Sequence, residues 1–245
     1  MISLKDKTIL ITGASSGIGK ALALGLAKEN CNLVLCARRL GLLEVIDNEI
    51  KKINPRINIV IVKADVSQEK EVVKLFQIGI ERFKKIDIIV NNAGRGLQSP
   101  IQQISTNEWN SVINTNLTGV FLCSREAVKH MLTKKIKGHI ITICSIAGLY
   151  GAPNYSAYCA SKHAVAGFNR SLWLELRKKD IKISTVYPAR IDTDFFSGYN
   201  IPPSKKEMIS SKDFAEYLIS VMKQQKIRIF LKQIRLLYKR IRNLL

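Results

Sequence analysis

Thr8-Ile-Leu-Ile-Thr12-Gly13-Ala-Ser-Ser-Gly17-Ile-Gly19 is the stretch on which the fold turns. Thr8 to Thr12 is a short apolar run that ends at a glycine, and it reads as a strand. It runs into Gly13 without a linker, and Lys20 to Lys28 continues in a helical pattern. A glycine-rich turn between a strand and a helix N-terminus is suited to holding a diphosphate. The glycines let the backbone approach closely, and free N–H groups with the helix dipole favour an anion.

Outward from this turn, apolar runs and helical patterns alternate. Further strands are expected at Leu33–Ala37, Ile57–Val62, Ile86–Val90, His139–Cys144, Ile183–Tyr187 and Arg228–Leu231. Helices are expected at Leu42–Ile53, at Glu69–Phe83, onward from a start at Ser105, Thr106 and Glu108, from beyond Ser145 to about Lys179, and at Lys212–Met222. Strands separated by helices imply a mostly parallel sheet covered on both faces. The expected architecture is a single doubly wound α/β domain of Rossmann type over residues 1–230, with about seven strands and a tail at 231–245. Gly13-x-Ser15-x-Gly17 also matches the G-x-S-x-G nucleophile elbow of α/β-hydrolases. That elbow needs several strands ahead of it and a late histidine. Only twelve residues precede Gly13, and the last histidine is His163 beside Lys162, so a hydrolase is excluded.

Composition agrees with a folded chain. The 245 residues are 47% hydrophobic and 24% charged, without a low-complexity tract, which argues against disorder. No apolar run approaches the roughly 18 residues of a membrane span, and a soluble cytoplasmic protein is expected. Five cysteines form no C-x-x-C pair, and three histidines fall into no metal-binding spacing. Buried thiols in a reducing compartment, and no metal, are expected.

Ser145 follows the apolar run Ile140 to Ile143 and so emerges at the C-terminal end of a strand, the edge where open α/β sheets bind ligands. Tyr158-x-x-x-Lys162 lies downstream, and residues four apart on a helix share a face. A phenol beside a fixed ammonium is a poised acid, since the positive charge favours phenolate. At the tip of the second strand an NAD-binding chain would place Asp or Glu for the ribose 2′-hydroxyl. Here Ala37 is followed by Arg38 and Arg39, and guanidinium groups pair with a 2′-phosphate in a fork, which favours NADP(H) over NAD(H). Asn116, in the middle of a helical pattern, is a misfit by propensity, so a specific task is expected of it.

Thr12-Gly13-x-x-x-Gly17-x-Gly19, Asn91-Asn92-Ala93-Gly94, Asn116, Ser145 and Tyr158-x-x-x-Lys162 stand in order in one chain. Together they resemble the short-chain dehydrogenase/reductase family, from Lys5 to about Lys226. The resemblance implies a hydride transfer between NADP(H) and a small or lipophilic carbonyl or alcohol substrate. It implies Tyr158 as general acid/base and Ser145 as the group orienting the carbonyl. Lys162 would stabilise the phenolate and hold the nicotinamide ribose, and Asn116 would anchor a relay water. On the cofactor it implies Gly13, Ser15, Ser16, Gly17, Ile18 and Gly19 at the diphosphate, with Arg38 and Arg39 at the adenosine ribose. Asp65 and Val66 would lie near the adenine, with Asn92, Ala93 and Gly94 along its back. Pro188, Ile191 and Thr193 would flank the nicotinamide, with Thr193 on the carboxamide. One departure is Pro188-Ala189 in place of the family's Pro-Gly, which works only if Ala189 has a negative φ. Phe195, Phe196, Tyr199, Leu149 and Tyr150 could line an apolar pocket, and Arg95 and Arg190 sit in loops near the expected mouth.

Charge is the unusual property. Thirty-nine basic residues against nineteen acidic ones give +20, and eight of the basic residues fall in 223–245, which has no acid. In the tail, Leu231, Ile234, Leu237, Ile241 and Leu244 recur at helical spacing with Lys232, Arg235, Lys239 and Arg242 on another side. That pattern fits a basic amphipathic helix, suited to peripheral contact with an anionic membrane or to packing on protein. Loss of lipid-vesicle binding on deleting the tail would support the first. The resemblance also implies a homo-oligomer, a dimer if the tail blocks the tetramer contact. Two alternatives remain: reduction of a 3-oxoacyl group on an acidic acyl carrier protein, and a non-catalytic nucleotide-sensing protein. The charge alone permits nucleic-acid binding, but no motif for specific nucleic-acid recognition is present.

Overall fold

The structure is a computed structural model that describes residues 1–196 and 208–224. Six strands, β1 (Thr8–Thr12), β2 (Asn32–Ala37), β3 (Asn58–Lys63), β4 (Ile88–Asn91), β5 (His139–Ile143) and β6 (Lys182–Val186), form one sheet in the order β3-β2-β1-β4-β5-β6. Every pairing in it is parallel; Ile9 lies between Leu33 of β2 and Ile88 of β4. Strands buried on both faces must be apolar throughout, and all five residues of β1 and of β5 are buried. Side chains alternate: Ile9 and Ile11 enter the core beneath α1 (Gly17–Leu26), α2 (Leu40–Ile53) and α7 (Ser211–Met222). Leu10 points the other way, into the core shared with α3 (Glu69–Phe83), α5 (Gly119–Thr133) and α6 (Ser156–Leu176). This is the doubly wound arrangement the alternating pattern implies. The strand order reverses between β1 and β4, which opens a crevice at the strands' C-terminal ends.

Asp87 fixes the start of β4 against β1. Its buried carboxylate accepts the Thr8 N–H at 3.0 Å and the Lys7 ammonium at 2.8 Å, and Lys85 lies 3.4 Å away. The five cysteines are buried free thiols, and among the described residues no helix is long and apolar enough to cross a membrane.

Three features depart from the expected elements. The helix started by Ser105 is not continuous: α4 (Thr106–Ile113) is followed by a π-helical turn at Asn114–Thr118 and then by α5. Ser105 accepts the Glu108 N–H while Glu108 reaches back to the Ser105 N–H, so α4 begins with a full capping box. Beyond Ser145 the chain makes a short 3-10 turn (Ile146–Gly148), and α6 begins only at Ser156, because Gly151, Pro153 and Asn154 (φ 64°) interrupt it. A two-residue pair, β7 (Ile191–Asp192) with β8 (Ile209–Ser210), was not anticipated. The seventh strand expected at Arg228–Leu231 and the tail helix of 231–245 lie outside the described residues, as do Tyr199 and the side chain of Phe196.

His139 makes stability depend on pH. It is buried at the start of β5, its Nε2 2.8 Å from Ser184 Oγ, and it pairs in register with Lys182 of β6. Burial first, and the Lys182 charge second, push its pKa down to about 3. Between the ordinary histidine value and that one, the unfolded chain binds a proton that the native chain refuses. Stability is therefore full above about pH 6.5 and falls by about 1.4 kcal/mol per unit as pH drops toward 3. His130, also held down by burial, adds in the same direction. Urea melts at pH 7 and pH 5 should differ by about 2 kcal/mol from His139, a difference that His139→Gln largely removes. Equal midpoints at the two pH values would disprove this.

Candidate functional site

The turn after β1 is shaped by close backbone approach. Gly13 and Gly17 have φ of 64° and 53°; a Cβ on Gly13 would sit 2.8 Å from Ala93 Cα, and one on Gly19 would sit 2.4 Å from the Gly13 carbonyl oxygen. No side chain larger than hydrogen fits at these positions without moving backbone. The turn is stapled to the end of β4 by Thr12 and Asn92. The Thr12 hydroxyl accepts the N–H groups of Asn92 and Ala93, both at 3.0 Å. Asn92 Nδ2 donates to the carbonyls of Thr12 (2.8 Å) and Gly13 (3.1 Å). Ser16 caps α1 without a side-chain bond, and no acid stands in the first turn. Its N–H groups and dipole thus point at an open cleft of about 620 Å³.

That cleft brings together almost every residue singled out in the sequence. Ser15, Ser16, Gly17 and Ile18 form one wall; Arg38, Arg39, Asp65 and Val66 lie at one end. Asn92, Ala93 and Gly94 form the floor, and Ser145, Tyr158, Lys162, Pro188, Ile191 and Thr193 surround the other end. Arg39 Nη2 lies 3.4 Å from Ser15 Oγ and 3.3 Å from Ser16 Oγ, and Arg38 Nη1 is 4.0 Å from Asp65 Oδ2. Gly19 stays behind the turn, buried. Asn116 is also behind the cleft, with no exposed surface. Its side chain makes three hydrogen bonds: Oδ1 accepts the Arg95 N–H at 2.7 Å, and Nδ2 donates to the Arg95 carbonyl (2.9 Å) and to Ser161 Oγ (3.0 Å). The π-helical turn that contains Asn116 aims it at Arg95, so the propensity misfit has a structural counterpart.

Ser145, Tyr158 and Lys162 are adjacent. The Ser145 hydroxyl accepts the Ala147 N–H at 3.1 Å and lies close enough to the Tyr158 phenol to favour its phenolate. The Lys162 ammonium is buried, donates to the Ile143 carbonyl at 3.0 Å, and lies 5.7 Å from the centre of the Tyr158 ring. The expectation of a lowered phenol pKa is corrected here. Burial raises the Tyr158 pKa above that of an ordinary phenol, and the neighbouring Ser145 hydroxyl only partly opposes this. Burial also lowers the Lys162 pKa. Ala189 is not among the described non-glycine residues with positive φ, so the Pro-Ala departure is accommodated. Thr193 packs where a Cβ on Gly17 would meet its Cγ2 at 3.2 Å, and its Oγ1 accepts the Phe195 N–H at 3.3 Å. Phe195 lies against Tyr158, ring centres 5.7 Å apart.

Sequence reading missed Tyr155 and Asp194, which also line the cleft. Tyr155 precedes Tyr158 by three residues, a helical spacing that could have revealed it; nothing in the sequence marks Asp194.

A parallel sheet whose switch point carries a glycine-rich turn, a Ser-Tyr-Lys group and a deep cleft defines a nicotinamide-linked oxidoreductase of the Rossmann class. Residues 7–202 match the family model described as short chain dehydrogenase, and the chain belongs to that family. An uncharacterized oxidoreductase of Staphylococcus aureus strain N315 is 33% identical over 226 residues, 92% of this chain and 95% of the relative. Among solved structures, an alcohol dehydrogenase of the archaeon Thermococcus sibiricus, complexed with 5-hydroxy-NADP, aligns with a TM-score of 0.84 at 27% identity, covering 92% of this chain and 94% of that one. A levodione reductase aligns at 0.82 and 29% identity over 88% and 90% of the two chains. A 3-ketoacyl-(acyl-carrier-protein) reductase of Brucella melitensis, complexed with NADH, aligns at 0.81 and 26% over 91% and 93%.

Proposed function

We propose that the protein is an NADP(H)-dependent carbonyl reductase or alcohol dehydrogenase acting on a small or lipophilic substrate. The observation that carries this reading is one continuous cleft, with Arg38 and Arg39 beside the glycine-rich turn at one end and Ser145, Tyr158 and Lys162 gathered at the other. The residues fit the cofactor: the turn has no room for a Cβ at Gly13 or Gly19, and the α1 N-terminus faces the space a diphosphate would fill. When bound, the nicotinamide supplies or accepts the hydride.

The chain's own residues manage the proton and the geometry. Tyr158 donates its phenolic proton to the carbonyl oxygen in reduction and takes one from the alcohol in oxidation. Ser145 holds that oxygen beside the phenol. Lys162, set behind the ring, stabilises the phenolate that is left and would hold the ribose hydroxyls of the cofactor. Gly13, Ser15, Ser16, Gly17 and Ile18 would hold the diphosphate, with Gly19 giving the turn its close packing from behind; Asp65 and Val66 would hold the adenine, and Pro188, Ile191 and Thr193 the carboxamide side. Asn116 holds Arg95 and Ser161 through its side chain and would anchor the water of the proton relay. Cofactor titration, NADPH against NADH, tests the reading directly: binding of neither would end it.

A second reading, reduction of a 3-oxoacyl group carried on an acidic protein, draws on the +20 net charge. Association of two chains through the long helices is also part of the proposal. Phe121 and Leu132 of α5 and Trp173 and Leu174 of α6 are 38–50% exposed, unusual for side chains of this size on a lone surface. Sedimentation velocity should give a dimer that Trp173→Glu splits; a monomeric wild-type chain at micromolar concentration would refute it.

A further inference from the structure

The substrate end of the cleft is not neutral. Five bases line the whole cleft (Arg38, Arg39, Arg95, Lys162 and Arg190) against two acids, Asp65 and Asp194. Asp65 belongs to the adenosine end, where its Oδ1 accepts the N–H and hydroxyl of Ser67 and its Oδ2 lies 4.0 Å from Arg38. Arg38 and Arg39 are there too, and Lys162 is buried on a carbonyl. The far mouth therefore presents two exposed guanidinium groups, Arg95 and Arg190, against Asp194.

Both arginines have anchored backbones. Both backbone polar groups of Arg95 are held by the fully buried Asn116 side chain, at 2.7 and 2.9 Å, so the root of its side chain is a fixed point. Its guanidinium is steered by a neutral partner, Ser111 Oγ at 3.1 Å. The nearby Glu108 directs its Oε2 to the Ser105 N–H and hydroxyl in the capping box. Arg190 is held by its carbonyl, which accepts the Ile209 N–H at 2.9 Å where β7 and β8 pair. Its charge is felt by Tyr155, a phenol that also lines the cleft. Fixed roots with a fork of donors at the end are what carboxylate recognition requires.

We propose that Arg95 and Arg190 are specificity-determining residues that bind an anionic group, a carboxylate or a phosphate, on the substrate remote from its reacting carbonyl. The proposal rests on the reading of Tyr158 and the cleft as a carbonyl-reducing site. It assigns Asn116 and the π-helical turn to holding Arg95 in place.

The test uses the full chain loaded with NADPH and two probes of similar shape, 4-formylbenzoate and its methyl ester. A charge-assisted pair at this site should favour the carboxylate in kcat/KM by about tenfold or more. The preference should shrink between about 50 and about 500 mM salt. Arg95→Met and Arg190→Met should each bring the ratio of the two probes to within about threefold of one, a ratio being insensitive to any loss of folded enzyme. An ester turned over as well as the carboxylate, or a preference that survives both substitutions, overturns the proposal. Binding of 4-formylbenzoate, read from the fluorescence of bound NADPH, separates the two readings. Binding without turnover keeps the anion site and removes carbonyl reduction. Turnover of the ester with no binding of the carboxylate keeps reduction and removes the anion site, and failure of the carboxylate to bind overturns the proposal in every case.

Discussion

Tyr158→Phe is expected to lower kcat by about 10²–10⁴-fold while leaving NADPH affinity within a few-fold of the wild-type chain, the range associated with losing one general acid. The ring stays, so its packing against Phe195 and its position over Lys162 are kept, and only the proton donor is removed. Stopped-flow or steady-state turnover with an aldehyde panel, alongside NADPH fluorescence, separates the two effects. Undiminished turnover would remove Tyr158 from the mechanism. The raised pKa of the Tyr158 phenol gives the direction of the pH dependence. The group is protonated across the neutral range and ready to donate in reduction. On the proposed mechanism oxidation of the alcohol uses the phenolate, so its rate should climb as pH rises toward the phenol's pKa, while reduction stays flat and then declines.

Replacing Arg38 and Arg39 together by alanine is expected to weaken NADPH binding by about 100-fold, from the loss of one or two charge-assisted bonds to a 2′-phosphate. NADH, which lacks that phosphate, should change by no more than about threefold. Arg39 reaches Ser15 and Ser16 and so stands over the rim of the glycine-rich turn, and Arg38 faces Asp65 across the same corner. Ala37 is buried at the strand tip and leaves the corner to the two guanidinium groups. Parallel titrations of both cofactors against both proteins decide the matter. An NADH preference in the wild-type chain would reverse the cofactor reading, and an equal loss for both cofactors would assign the arginines to shaping the turn.

Much of this was legible in the residues because local chemistry and global fold agree. β1 and the glycines after it need neither partner nor context to be recognised: a buried parallel strand is apolar throughout, and the turn tolerates only hydrogen at Gly13 and Gly19. Ser145, Tyr158 and Lys162 were legible because strand end and helical spacing fix where their side chains emerge. What was not legible depends on contacts between distant segments. The phenol pKa follows from how deeply α6 seats Tyr158, which no spacing reveals. Asn116 could be marked as odd, yet its partner Arg95 lies 21 residues away in a loop. The break of the long helix into α4, a π-helical turn and α5 went unread because a single widened turn is too short to set a period of its own. The β7–β8 pair has two residues per strand, too few for any pattern.

The Thr12–Asn92 staple has a consequence for how the chain is made. Its two ends are 80 residues apart, and β1 lacks its β4 neighbour until that stretch has been synthesised. At ribosomal speeds of about 5–20 residues per second, the wait is roughly 4–16 s. Throughout it, the strand that carries the glycine-rich turn has one apolar edge without a partner, and the turn lacks the Asn92 amide and the two N–H groups that shape it. A nascent chain stopped short of Asn92 thus holds every glycine of the motif and still has no rigid cradle for a nucleotide. In the growing protein the turn takes its final shape only once the midpoint of the sheet closes.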